Sequence, residues 1–314
     1  MSGPVTTEDE APAEGGCGDT HRELEVTDPH EAQVGRFRVR RALPRRARRT
    51  VGSWCFVDLM GPAEVTADRG LDVPPHPHIG LQTVTWLIAG EGLHRDSLGT
   101  EQVLAPGQLN LMSAGRGIAH SEEATGRYAG PLQGVQLWVA QPEVTRHGEP
   151  AFEHHAELPQ VELGSATATA TVLVGELAGA ASPARRDTDH LGADLQLRPG
   201  TTVVPLEQAH EHAVLVVDGA VEVAGTAVHA GQLAYVGVGH DELPLSVHEP
   251  ARVMLLGGVP FPDRLVMWWN YVARSQDEVT EAHRAWASGD EQRFGPVASP
   301  LARTVPDPPP WDRG

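Results

Sequence analysis

The sequence predicts an all-β chain built as two tandem β-sandwich or barrel domains, followed by one helix near its C-terminal end. Three observations carry that expectation. Apolar runs rich in Val, Leu and Thr recur between glycine turns, as in TVTWLIAGEG (83–92), GVQLWVA (134–140), HAVLVVDGAVEVAG (212–225) and RVMLLGG (252–258), the pattern of short strands in a sandwich. Marks along the chain repeat: HPH at 76–78 returns as HEH at 210–212, and GQLNLMSAG (107–115) returns as GQLAYVGVG (231–239). A shared period of this kind indicates a duplicated unit. Helical periodicity is confined to SQDEVTEAHRAWASG (275–289). There Val279, Ala282, His283 and Trp286 share a face, and Ser275 with Glu278 has the spacing of a capping box.

The elements divide the chain as follows. Residues 1–30, polar, acidic and rich in small residues, read as a disordered leader. Residues 31–142 form the first domain and 143–165, punctuated by Gly148, Pro150, Pro159 and Gly164, a linker. Residues 166–297 hold the second domain and the helix, and 298–314, ending PDPPPWDRG, read as a disordered tail. The segment RFRVRRALPRRARR (36–49) contains eight arginines. It reads as a strand with exposed arginines, because Phe37, Val39 and Leu43 alternate, rather than as a nucleic-acid arm.

Composition narrows the class. The 314 residues carry a net charge of −18, which disfavours direct nucleic-acid binding, where phosphate contacts dominate affinity. No apolar run approaches the ~18 residues of a membrane span, and the start lacks the basic and apolar regions of a secretory signal. Only Cys17 and Cys55 occur, too few for a disulfide framework. These features together predict a reduced, cytoplasmic protein.

The chemistry is concentrated in two pairs. His76 and His78, at i and i+2 in PPHPHIG, put both rings on one face of a strand. His120 and Glu122 in AGRGIAHSEE do the same, after Gly115 and Gly117 that would turn the chain inward. Three imidazoles and a carboxylate suit a first-row divalent metal with coordination positions to spare. His94 and Asp96 alternate onto one face and read either as a turn-end pair or as groups that orient a ligand. Trp268 and Trp269 read as packing residues that dock the helix. In the second copy His210 and His212 lack a following carboxylate, so no second metal is expected there.

The stretch GLDVPPHPHIG, with Gly70, His76 and His78, resembles the first cupin motif, and the set VGSWCFVDLMGP, HPHIGLQTVTWL, HRDSLG, PGQLNLMSAGRGIAHSE, MWWNYVARSQDEV and RFGPV resembles the pirin family over roughly 34–297. That resemblance implies a bicupin with metal only in its N-terminal domain, held by His76, His78, His120 and Glu122. It implies Fe(II) as the usual ion; manganese, nickel, cobalt and copper would accept the same donors. It also implies quercetinase chemistry, the opening of a flavonol ring by dioxygen; for that reaction Glu122, expected to lie beside the substrate oxygen, is the candidate catalytic base. The competing expectation is a non-enzymatic iron-binding co-regulator of transcription that reads its metal or redox state out to a protein partner. Ile79, Gln82 and Leu59 stand where many members have Arg, Glu and His.

Overall fold

The computed structural model describes residues 24–35 and 37–312. Each domain is a sandwich of one seven-stranded and one four-stranded sheet. In the first, the large sheet runs in the order 151–155, 109–113, 81–89, 130–140, 54–65, 37–43, 30–34, and the small one 73–78, 118–123, 92–96, 101–104. The second domain repeats this plan, with large-sheet order 25–27, 233–237, 211–218, 251–258, 190–197, 168–174, 160–163 and small-sheet order 200–205, 242–247, 220–223, 226–229. All named ladders are antiparallel, so a strand's alternate residues face opposite sides.

That alternation builds two cores from one sheet. Along Trp54–Val65, Val57 and Leu59 join Trp54 in an apolar cluster that also takes Leu173, Ala213, Leu215 and Met254 from the second domain. The intervening Phe56, Asp58 and Met60 face a cavity inside the first sandwich. Gly130–Ala140 divides the same way, Val135, Leu137 and Val139 outward and Gln136 and Trp138 inward. The domains thus pack large sheet against large sheet, and Trp54 ties them with Nε1 near Leu191 O and Gly257 O at 3.0 and 3.2 Å.

The helix forms over Gln276–Ser288, capped by Ser275, whose hydroxyl accepts from Glu278 N, and closed by Gly289 in the left-handed region. Val279, Ala282, His283 and Trp286 are its buried residues, as the periodicity requires. The capping box is only half made: Glu278 accepts from Arg274 N and pairs with Arg146, not with the backbone of Ser275.

Three boundaries differ from the sequence reading. Residues 1–23 of the leader, with Cys17, lie outside the described residues, but Glu25–Thr27 is a strand on the edge of the second domain's sheet. The stretch 143–165 is not a bare linker: Ala151–His155 completes the first domain's large sheet and Gln160–Leu163 the second's. Its prolines and glycines mark turns between edge strands, where the ladder tolerates them. The tail through residue 312 is tied down, with Thr304 N donating to Pro75 O, Trp286 Nε1 donating to Thr304 O, and Trp311 Nε1 donating to Thr280. Arg41 is also not exposed. Its guanidinium makes two 2.8 Å bonds to Asp58 in the interior, Arg40 reaches Ala230 O, and Arg48 pairs with Glu25 over the Tyr235 ring.

Candidate metal centre

His76 and His78 end the small-sheet strand Val73–His78, and His120 lies opposite His76 on Ile118–Glu123. The prolines at 74, 75 and 77 are tolerated because this is an edge strand. Gly70 allows the approach into it, since a Cβ there would stand 2.6 Å from Ala124 Cα. Gly115, at φ +53°, turns the chain into His120's strand, and a Cβ on it would meet Gly148 O at 2.1 Å.

One ring nitrogen from each of His76, His78 and His120 lies within 4.8 Å of the others. All three are buried, and burial holds each imidazole below its usual range, His76 at about 4. Their outward nitrogens find partners: His76 Nδ1 donates to Pro74 O at 2.8 Å and His78 Nδ1 to Asn270 O at 2.9 Å. His120 Nδ1 faces His94 Nδ1 at 3.3 Å, and His94 Nε2 faces Asp96 Oδ2 at 3.2 Å. A neutral imidazole carries one proton, so His78 with its proton on Nδ1 turns an Nε2 lone pair inward. His120 does the same when its proton lies toward His94. These Nε2 atoms are 3.0 Å apart, two lone pairs face to face unless a cation lies between them. Two nitrogens at roughly 2.1 Å from one ion are that far apart when the angle between them is about 90°. The donor set therefore fits a first-row divalent ion.

Glu122 lines the same cavity but stands outside the 4.8 Å cluster. A register shift between His120 and Glu122 separates them along the strand, a bulge that re-aims a side chain beside the site. Burial raises its carboxyl above the usual range. Thr85 Oγ1 lies 3.4 Å from Glu122 and 2.9 Å from Gln136 Oε1; its one proton serves the shorter bond. Gln82 is fully buried, donates to Ser113, and is not among the cavity-lining residues.

The cavity encloses about 710 Å³ of free space, part of it open to solvent. Phe56 is sandwiched between the Trp138 ring, stacked on it at 4.0 Å, and the Arg41 guanidinium, 4.4 Å from its centroid. Trp269 packs with the helix cluster, as the sequence suggested, and lines the cavity as well. It holds φ +52° at the turn of the hairpin Val266–Trp268/Tyr271–Ala273, and that turn aims Asn270 O at His78. Asn270, the Arg41–Asp58 pair and Thr304 were not legible as site residues, because each reaches the cavity through a distant contact rather than a spacing.

The second domain has no equivalent set. The strand that corresponds to Val73–His78 is Gly200–Pro205, and to Ile118–Glu123 it is Glu242–Val247; neither carries histidine. HEH instead opens the large-sheet strand Glu211–Asp218, so the GQL repeat is structural while the histidine repeat is a coincidence of spacing.

Two sandwiches of this plan in one chain, with imidazoles converging in the first, define a bicupin. The chain matches the Pirin family model over residues 36–139 and the Pirin C-terminal cupin domain over 192–295, and it belongs to the pirin family. A Pseudomonas aeruginosa protein named "Putative quercetin 2,3-dioxygenase" is 44% identical over 94% of both chains. A pirin-like protein of Caulobacter vibrioides is 38% identical over 84% of this chain and 93% of its own. The crystal structure of a quercetin 2,3-dioxygenase from Acinetobacter baumannii superposes with a TM-score of 0.84 at 39% identity, over 90% of this chain and 96% of that one. No helix among the described residues is long and apolar enough to cross a membrane.

Proposed function

We propose that this protein is an Fe(II)-dependent dioxygenase that opens a flavonol-type ring, with His76, His78, His120 and Glu122 as the metal-binding set. The observation that carries the reading is the convergence of one ring nitrogen from each of His76, His78 and His120, with the Nε2 atoms of His78 and His120 3.0 Å apart, in an aromatic-lined cavity. Likeness to a solved quercetin 2,3-dioxygenase over most of both chains supports the substrate class. The bound ion would supply Lewis acidity and an electron relay between an aromatic substrate and dioxygen.

The protein's own part is to bind, orient and take a proton. Phe56 and Trp138 line the cavity with aromatic surface against which a planar ring packs. Glu122, made more basic by burial, takes the flavonol hydroxyl proton, leaving an electron-rich enolate in the pocket. Gln136 and Asn270 border the cavity with polar groups, and Met60, Leu71 and Val73 exclude water from the rest. In the arginine segment, Arg40, Arg41 and Arg48 make their contacts within the chain.

The test is dioxygen uptake by Fe(II)-loaded protein with a flavonol panel, against metal-free protein. Metal-dependent uptake with release of carbon monoxide is expected. Iron retained with no uptake on any flavonol would overturn the assignment.

A further inference from the structure

We propose that Asp96 and His94 are a positioning pair that sets which nitrogen of His120 carries the proton, and so keeps its Nε2 lone pair aimed into the pocket. The inference rests on the reading of His120 as a metal ligand and adds to it the device that prepares that ligand.

The three groups lie on one face of adjacent strands. His120 sits across the ladder from Asp96, and Glu122 from His94. All are buried, His94 at 3%, Asp96 at 2% and His120 at 2% exposure, so water does not compete for their bonds. Asp96 divides its carboxylate. Oδ1 accepts from Leu98 N and Thr100 N at 2.9 and 3.0 Å, which fixes it to the turn, and Oδ2 is left for His94 Nε2. The turn-end reading of this pair accounts for Oδ1; the orienting role proposed here falls to Oδ2. Phe152 stacks on the His94 ring at 4.6 Å and fixes its plane.

Proton positions then follow in sequence. A carboxylate oxygen only accepts, so a neutral His94 carries its proton on Nε2 and exposes a lone pair at Nδ1. His120 Nδ1, facing that lone pair, must be the donor, and its Nε2 is left unprotonated. His76 and His78 reach the same state through single backbone carbonyls. His120 has no such carbonyl in reach and uses a side-chain relay instead. Partners of this outer kind typically change metal affinity by ~10–100-fold when removed.

Asp96→Asn inverts the relay with minimal change of shape. The amide oxygen can still hold the turn, while its NH2 donates to His94 Nε2. His94 then donates from Nδ1, and His120 is left with its proton on Nε2, blocking the pocket. The test combines 15N NMR of histidine tautomers in the metal-free protein with Co(II) affinity, the His94 and His120 signals being assigned by their loss in His94→Phe and His120→Ala. Expected is Nδ1–H on His120 and Nε2–H on His94 in the wild type, reversal in Asp96→Asn, and Co(II) binding ~10–100-fold weaker there. Wild-type protein with Nε2–H on His120, or Asp96→Asn with wild-type tautomers and wild-type affinity, overturns the proposal. Should Asp96→Asn not fold, the wild-type spectrum alone decides. Wild-type protein that shows the expected tautomers but binds no Co(II) would refute the ligand assignment and leave the relay standing.

Discussion

The sharpest consequence of burying the three histidines concerns how acid competes with metal. An imidazole at its ordinary pKa of about 6.5 is ~90% protonated at pH 5.5, so three such ligands would each lose about tenfold of their free form between pH 7.5 and 5.5, about 1000-fold in affinity together. His76 titrates at about 4 because burial penalises its charged form; at pH 5.5 such a group is only ~3% protonated. His78 and His120 are held well below 6.5 by the same desolvation, reinforced by their neighbours. The sign is clear: a lowered pKa keeps the neutral, ligating form available further into acid. Glu122 works oppositely, since its raised carboxyl takes up a proton as pH falls. The clean measurement therefore uses Glu122→Gln and follows Co(II) affinity by calorimetry at pH 7.5, 6.5 and 5.5. Affinity is expected to change by less than about threefold across that range. A fall of a hundredfold or more would refute the claim that the pocket keeps its imidazoles neutral.

Other outcomes follow from the same geometry. His120→Ala is expected to lose its metal on dialysis, whereas Glu122→Gln keeps most of its metal and loses turnover; equal loss of both in the latter would remove Glu122 as the base. Arg41→Ala leaves the Asp58 carboxylate buried without its two guanidinium bonds, and should cost about 3–5 kcal/mol in urea unfolding. A loss below ~1 kcal/mol would show that water reaches Asp58. Cys55 is fully buried with its thiol pushed up to about 12 by burial, so in a Cys17→Ser background no thiol should react with Ellman's reagent at pH 8 until denaturant is added.

What could be read from the sequence was what period and local spacing encode. Apolar runs between glycine turns, as in TVTWLIAGEG and GVQLWVA, gave strands, the Ser275–Gly289 stretch gave a helix whose buried face is the one found, and two i, i+2 pairs gave side chains that line the cavity. Where interpretation failed, long-range pairing decided the outcome. Ala151–His155 is polar and lies among prolines, yet it becomes a strand because the edge at Leu109–Ser113 offers it a ladder. Asn270 meets His78 from 192 residues away, and no local pattern announces a contact of that kind. The HEH motif shows the converse error: its spacing matched HPH, but HPH ends a small-sheet strand and HEH opens a large-sheet one.

The second sandwich, without ligands of its own, still bears on the site through the strand Trp54–Val65. One face of that strand supplies Phe56, Asp58 and Met60 to the cavity; the other buries Val57 and Leu59 against the second domain. A strand with both faces covered cannot rotate or slip by one residue without exchanging its cavity side chains for its interface ones. Glu211 secures the strand's entry by accepting from Gly52 N at 2.5 Å, and Tyr235 donates to the same carboxylate. The duplicated domain therefore acts as a backing plate for the cavity wall.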